Sequence, residues 1–390
     1  MGYLSNIKKL YLFRLFQALI LAYVIERLFW HARGMTVQMV VYCEIIFAAT
    51  VILCEIPSGI LADKFGRKRM LVLDGMLSVL EIGILLFATN FWMFGLAVFL
   101  SGIGKALSSG SENALLYDSL LAENREGDFE KILGRLSAVD FGGALFAALS
   151  GGVLADFFKM EYNYIVSLFS MLIAFFIALT LKEPPLVTKP EGEWINIWQH
   201  TKRAVSVFKP KPMVFLYCMT GAVLGACLIY LDEFWQLIMQ GIGVPIFLFG
   251  VVSASIFLFR LPGNLFAYKL KERFSYRKVL IVILAVNIAG YAAIFFTRSF
   301  FCLIPMICVF FTAGITEPLI TGYLHHRTDS NVRATVESFF SLGLRLISVL
   351  VGLVFGYIGT KHSIFSGFAF ISLVCLAYVF PYGYFLRKHK

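Results

Sequence analysis

Long apolar stretches separated by short polar segments dominate the chain. A helix that crosses a membrane needs about 20 mostly apolar residues, and twelve stretches are long enough. We place these spans at residues 10–31, 37–60, 70–89, 92–120, 133–157, 162–182, 212–236, 246–269, 279–297, 299–324, 335–359 and 363–386. The pattern predicts an all-α integral membrane protein in which an N-terminal bundle, 1–182, and a C-terminal bundle, 212–390, each contain six transmembrane helices. No small-residue cleavage site follows the first stretch, so we expect a retained span and not a signal peptide.

The longest polar segment, 183–211, separates the two predicted bundles. Apolar residues recur in it at helical spacing, at Trp194, Ile197, Trp198, Val205 and Phe208. This spacing favours a short amphipathic helix on the cytoplasmic membrane surface. The alternative is a polar linker with a few aromatic residues.

The composition supports a membrane protein and excludes several other classes. Hydrophobic residues make up 59% of the chain and charged residues 15%, and the mean hydropathy is +0.81. Soluble domains carry about 25% charged residues, so a soluble enzyme and a disordered chain are both excluded. The seven cysteines lie in apolar runs without CxxC spacing, so we expect neither a disulfide nor a metal site. No cofactor is expected.

The distribution of basic residues predicts the orientation in the membrane. Of the 34 lysines and arginines, 26 fall on alternate loops that include both termini, four fall on the opposite loops, and four lie inside spans. Cytoplasmic loops retain basic residues, so both termini are predicted to be cytoplasmic in a multi-pass protein of the cell membrane. The net charge of +10 is then explained by anionic membrane lipid and gives no reason to expect a nucleic-acid partner.

The two halves carry related segments in the same order. Glu26-Arg27 corresponds to Asp232-Glu233, Glu112 corresponds to Glu317, and the loop after the second span corresponds to the loop after the eighth, all about 205 to 210 residues apart. Three matches at a nearly constant offset indicate a duplication. Transporters are often built from such repeats, with the substrate site near the middle of the membrane.

The loop between the second and third spans carries a recognisable motif. Residues 59–69 read GILADKFGRKR, and 110–118 read GSENALLYD. The first segment resembles the loop signature of the major facilitator superfamily, and the whole chain is similar to its bacterial twelve-helix drug/proton antiporter-type exporters. The resemblance implies two six-helix bundles around a central cavity that opens alternately to either side.

The same motif suggests a group of interacting charges, which we call the latch: Asp63, Arg67 and Asp118. The resemblance implies that the latch holds the outward-facing state with a partner near Arg333. From the residues themselves, Gly59 allows close helix packing and Gly66 a tight turn. Asp63 could accept hydrogen bonds from Arg67 or from backbone amides at a helix start. The alternative is that these are loop charges that only follow the positive-inside rule.

Two positions depart from the pattern of the antiporters. The arginine of their fourth span is replaced by Val98, and the basic residue of that span is Lys105. Their Gly-Pro run in the fifth span is absent from 147–152, which keeps Gly151 and Gly152. Uptake by symport therefore remains an alternative to export.

Ionisable residues at membrane depth are costly and are candidates for function by default. The candidates for proton coupling or for the substrate cavity are Lys105, Glu112, Glu26, Arg27, Asp140, Asp232, Glu233, Arg260, Glu317 and Arg345. Glu44, Asp74 and Glu81 are assigned to helix packing or to the cavity mouth.

Spacing and repeat position predict two pairings between charged residues and argue against a third. Lys105 and Glu112 are seven residues apart in the fourth span and share one face of a continuous helix, so Lys105 is the predicted cationic neighbour of Glu112. Asp140 and Arg345 lie at similar predicted depth and could meet across the bundle interface. Glu26 and Arg27 are sequence neighbours whose side chains point about 100° apart, so they are not expected to pair side by side.

These features predict a proton-coupled secondary active transporter that exports small amphiphilic organic compounds by alternating access. Its partners would be a small-molecule substrate, protons and membrane lipid, and we expect a monomer. The alternative within transporters is a proton/solute symporter that imports a metabolite. A receptor or scaffold would need a larger soluble module than 183–211 provides, and no zinc-protease, nucleophile-elbow or phosphate-loop motif suggests an enzyme.

Overall fold

The computed structural model describes residues 3–185, 212–327 and 330–388, without the side chains of 56, 325, 330–335, 337 and 338. In these ranges the regular structure is helical, with no β-strand. The helices are α1 (Ser5–Ala18), α2 (Glu26–Ala32), α3 (Val37–Phe65), α4 (Arg67–Phe87), α5 (Phe91–Ser108), α6 (Ser111–Leu121), α7 (Phe129–Phe157), α8 (Glu161–Thr180), α9 (Pro212–Gly241), α10 (Phe249–Arg273), α11 (Tyr276–Phe296), α12 (Leu303–Arg327), α13 (Ser330–Lys361) and α14 (Ile364–Lys388). The predicted amphipathic helix in 183–211 lies outside the described residues.

The predicted fold class is confirmed. Eleven helical stretches of the described chain are long and apolar enough to cross a membrane, and they coincide with the second to the twelfth predicted spans. The first predicted span is also present, but it is divided into α1 and α2. The expected count of twelve therefore holds once the broken first span is included.

The break in the first span lies between Ala18 and Glu26 and contains a 3-10 turn, Tyr23–Ile25. Its backbone groups are satisfied by polar side chains of α8. The Asn163 amide donates to the Leu21 carbonyl at 3.0 Å, and the Ser167 hydroxyl accepts from the Ala22 amide at 3.1 Å. A helix can be interrupted inside a membrane only where protein satisfies the freed groups, and α8 meets that condition.

The fourth predicted span is also interrupted. Helix α5 ends at Ser108, Gly110 has φ +78°, and α6 begins at Ser111. A positive φ favours glycine and changes the direction of the chain. The expectation that Lys105 and Glu112 share one continuous helical face is therefore wrong.

The chain divides into two compact units. Of the described residues, unit 1 contains 3–185 with 245–254, and unit 2 contains 212–244 with 255–327 and 330–388. The segment 245–254 had been expected in the C-terminal bundle, but its turn Ile246–Leu248 packs on α7 of unit 1.

Each unit has its own apolar core. In unit 1, α1 packs against α7 and α8, and buried Phe13, Leu71 and Leu115 join α1, α4 and α6. In unit 2, α9 has the largest buried share of the spans and packs against α12, α13 and α14. These cores fix the helices that carry the charged residues.

Candidate transport site

An ion pair joins the first and fourth spans inside unit 1. The Arg14 Nε atom of α1 lies 2.5 Å from Glu112 Oε1, in the first turn of α6. The Glu112 side chain is 8% exposed and the Arg14 side chain is 31% exposed, so the carboxylate is shielded from water and the guanidinium only in part. Arg14 had been counted among the cytoplasmic basic residues, and its role as the partner of Glu112 was missed.

The other charged residues predicted to interact in this region, Lys105, Asp140 and Arg345, make weaker contacts or none among the described residues. Lys105 is exposed and has no carboxylate within ion-pair distance among the described residues. Asp140 Oδ2 lies 3.9 Å from Arg14 Nη1, and its side chain is 48% exposed. Arg345 is half-buried on α13, and its pairing with Asp140 stays a prediction.

Helix α4 contributes a buried carboxylate that sequence reasoning underrated. Asp74 is 6% exposed and accepts a hydrogen bond from Gln17 Nε2 of α1 at 3.0 Å. Asp74 and Glu112 therefore both bind side chains of the same helix. The signal available in the sequence was an acidic residue inside an apolar span, with no basic residue three or four positions away on the same helix.

A second charged group surrounds Arg27, which is 5% exposed. Arg27 Nη2 lies 2.6 Å from Glu44 of α3, and its guanidinium lies 4.6 Å from the centre of the Trp30 ring. Arg27 Nη1 also lies 3.6 Å from Glu26. The expectation that these sequence neighbours would not pair is thus wrong, because the long arginine side chain reaches back toward Glu26 while it binds Glu44.

Unit 2 has its own ion pair between its first two spans. Arg260 Nη2 of α10 lies 2.6 Å from Asp232 Oδ2 of α9, and the Arg260 guanidinium lies 5.2 Å from the centre of the Phe310 ring. Both side chains remain about one-third exposed. Glu233, next to Asp232, is half-buried.

A cavity of about 360 Å³ lies inside unit 2, next to this ion pair. Its polar wall includes Arg260, Asn264, Asn287, Thr316, Glu317 and Thr321, and its apolar wall includes Leu228, Ile229, Phe340 and Leu344. Among the described residues, no cation lies within ion-pair distance of Glu317. The cavity thus offers a carboxylate, amides and an apolar surface to a small organic molecule.

The latch residues are only partly brought together. Arg67 at the start of α4 forms an ion pair with Asp118 of α6. Asp63 is exposed, and the described chain provides neither an ion pair nor a hydrogen bond to its carboxylate. The side chain of Arg333 lies outside the described residues, so its part in the latch stays a prediction.

Glu183 accepts the backbone hydrogen bonds at the start of α4 that we had suggested for Asp63. Its two carboxylate oxygens each accept a backbone N–H, from Arg67 and from Lys68, at 2.8 Å. Gly66, with φ +94°, turns the chain immediately before these amides, as expected. Gly59 makes no close helix contact, since a Cβ there would meet no atom within 4 Å.

No group of three or more His, Cys, Asp or Glu side chains in the described ranges is arranged to hold a metal ion. The polar chemistry inside the spans consists of carboxylates, guanidinium groups and amides. Such groups bind protons and organic solutes.

A helical membrane protein with internal charges and a repeated architecture belongs to the class of secondary transporters. The chain belongs to the major facilitator superfamily, whose family model matches residues 11–336. It is therefore a multi-pass transporter of small molecules and not an enzyme.

Individual proteins show the same relationship. An uncharacterized transporter of Buchnera aphidicola is 35% identical over 136 residues, which cover 34% of this chain and 33% of that protein; the match spans about a third of this relative's length. Tetracycline resistance protein, class H, of Pasteurella multocida is 22% identical over 77% of this chain and 74% of its own. The crystal structure of nucleoside transporter NupG superposes with a TM-score of 0.76 at 14% identity, over 100% of both chains, which shows the shared fold.

Proposed function

We propose that this transporter exports small amphiphilic organic compounds across the cytoplasmic membrane and is driven by protons. Both termini would be cytoplasmic, and the protein would act as a monomer. The relative named for tetracycline resistance supports export of an organic compound. The excess of basic residues on the loops of one side supports the orientation.

The observation that carries proton coupling is the ion pair of Arg14 with the buried carboxylate of Glu112. A coupled carrier needs a carboxylate that is charged in one state and neutral in another, and substrate must change its affinity for the proton. Breaking a shielded ion pair leaves an uncompensated charge. Movement of Arg14 away from Glu112 would therefore favour proton uptake by Glu112, which links the proton to a change in helix contacts.

The cavity of unit 2 supports an amphiphilic substrate. Leu228, Ile229 and Phe340 provide an apolar surface, and Glu317 provides a carboxylate with no cation within ion-pair distance in the described chain. A compound with an apolar body and a hydrogen-bond donor or a positive charge would match both walls. A volume of about 360 Å³ suits a small molecule.

The test is transport by the purified protein in liposomes with an imposed pH gradient, screened with chemically diverse compounds. We expect the parent to concentrate at least one amphiphilic compound against its gradient, in the direction of export. Glu112→Gln should abolish this accumulation and keep exchange of substrate, because the amide cannot carry a proton. The matched control is Glu130→Gln, an exposed glutamate in the first turn of α7.

Two results would contradict the proposal. Accumulation that follows the pH gradient inward would establish uptake by symport. Accumulation by Glu112→Gln equal to that of the parent would remove Glu112 from the coupling mechanism.

A further inference from the structure

Asp74 is a buried carboxylate whose nearest polar partner is neutral. Its side chain lies between α1 and α5, with Gln17 Nε2 at 3.0 Å from Oδ2. On the other side, a Cβ at Gly104 would lie 2.8 Å from Asp74 Oδ1. The carboxylate therefore occupies space that only a glycine at position 104 leaves open.

The partners of Asp74 and Glu112 belong to one face of α1. Arg14 and Gln17 are three residues apart, so their side chains are neighbours on that face. Arg14 binds Glu112, and Gln17 binds Asp74. Helix α1 thus presents one cation and one neutral amide to two carboxylates that are each 6% exposed.

The charges around Asp74 do not balance. The described groups with a charge or a titratable proton that face it are Arg14 on α1, Tyr23 in the break of the first span, Lys105 on α5, Glu112 on α6 and Glu81 further along α4. Arg14 is already bound to Glu112, and Lys105 is exposed. In the described chain no cation lies within ion-pair distance of Asp74.

An ionised carboxylate without a cation is costly at membrane depth. Together with Arg14, which is bound to Glu112, these two buried carboxylates carry an excess of one negative charge, which a single proton neutralises. Glu81 is a separate carboxylate seven residues further along α4. Asp140 is not counted in this excess of negative charge, because its side chain is 48% exposed and water can solvate its carboxylate.

We propose that Asp74 and Glu112 form a site for one proton around Arg14, and that Asp74 holds this proton while Arg14 is bound to Glu112. When Arg14 transfers to Asp74, the Asp74 carboxyl releases its proton and the Glu112 carboxylate takes one up. One O–H bond is broken and one is formed, so protons and charge balance. This inference rests on the proposed proton coupling and adds Asp74 as a second proton-carrying residue.

The first test is infrared difference spectroscopy of the purified protein in lipid, which reports the C=O stretch of a protonated carboxyl group. We expect the parent to show this band and Asp74→Asn to lack it. The matched control is Glu81→Gln, which changes a carboxylate seven residues further along the same helix. Loss of the band in Glu81→Gln but not in Asp74→Asn, or no band in the parent, would overturn the proposal.

A second variant covers the case in which Asp74→Asn does not fold. Gln17→Ala keeps the carboxyl group and removes the hydrogen bond from Nε2, so the band should move to higher frequency. A band that does not move would show that the protonated group is not Asp74.

Transport in liposomes separates this inference from the proposed function. Asp74→Asn should lose accumulation driven by a pH gradient, with the internal concentration falling to the external one, and should keep substrate exchange. A parent that never responds to a pH gradient would refute proton-driven export, whereas the infrared band would still decide whether Asp74 carries a proton. Full accumulation by Asp74→Asn would overturn the role of Asp74.

Discussion

Replacing Glu183 with alanine tests which acidic residue holds the start of α4. The Glu183 carboxylate accepts the backbone N–H groups of Arg67 and Lys68, both at 2.8 Å. The first amides of a helix have no partner inside the helix, and Gly66 at the cap position has no side chain to supply one. Glu183→Ala should therefore leave two amides of the first turn without their present acceptor.

The expected loss of stability follows from the two hydrogen bonds. A hydrogen bond to a charged group contributes about 1.5–3 kcal/mol, and removal of a helix cap costs about 0.5–2 kcal/mol. Glu183 is half-buried, so in Glu183→Ala water can accept part of the hydrogen bonding that the carboxylate now accepts. We expect a decrease in the free energy of unfolding of about 2 kcal/mol, which corresponds to a fall in Tm of roughly 2–3 °C.

The measurement is thermal unfolding of the purified protein in detergent at one fixed scan rate, since membrane proteins often unfold irreversibly. Glu183→Gln should fall between the parent and Glu183→Ala, because an amide oxygen can still accept one of the two N–H groups. The control is Asp63→Asn, which changes an exposed acidic residue in the last turn of α3, just before Gly66, and its Tm should match that of the parent. A fall in Asp63→Asn equal to that in Glu183→Ala would refute the assignment of the cap to Glu183.

Two further predictions concern stability within each unit. Asn163→Leu removes the hydrogen bonds to the Leu21 and Gly151 carbonyls. Amide hydrogen exchange at the break in the first span should therefore become faster, and Tm should fall. Unchanged exchange would contradict the role of α8 in holding the break. Arg260→Ala leaves Asp232 without its ion-pair partner and should lower the free energy of unfolding by about 1–3 kcal/mol, less than for a fully buried pair because both groups are partly exposed. The double variant Arg260→Gln/Asp232→Asn should recover part of that loss, and a strictly additive result in thermal unfolding would show that the pair is not coupled.

Hydrophobic pattern was sufficient to predict the spans but not their continuity. The break after Ala18 falls in a fully apolar stretch, 19–25, so hydropathy contains no sign of it. The groups that satisfy the break belong to α8, with Asn163 and Leu21 separated by 142 residues. The break before Ser111 had a local signal, because Gly110 stands between two serines.

The residue types of the candidate site were predictable, whereas their partners were not. Sequence reasoning compared residues on one helix or at equivalent positions of the repeat, and it assigned Lys105 to Glu112. The structure pairs Glu112 with Arg14, 98 residues away. Asp74 was assigned to helix packing or to the cavity mouth, and its neutral donor Gln17, from another helix, leaves no charge pattern in the sequence.

Both units join their first and second spans by an ion pair, but not at equivalent positions of the repeat. In unit 1 the first span supplies the cation, Arg27, and the second supplies Glu44; in unit 2 the first span supplies Asp232 and the second supplies the cation, Arg260. Glu44 and Arg260 are 216 residues apart, outside the offset of about 205 to 210 that relates the repeats. An ion pair attracts equally in either polarity, so each arrangement can hold its two spans together.

The proposed proton site of unit 1 has no counterpart in unit 2. At the offsets of the matched segments, 206 residues in the first span and 209 after the second, Arg14, Gln17 and Asp74 correspond to the uncharged residues Thr220, Val223 and Ile283. Glu112 corresponds to Glu317, which lines the cavity with no cation in ion-pair distance among the described residues. Under the proposed function, the excess carboxylate that binds a proton belongs to unit 1 and the described cavity wall belongs to unit 2. Under the same proposal, two copies of unit 1 would lack that cavity wall and two copies of unit 2 would lack the proton site, so proton-coupled transport would need both units.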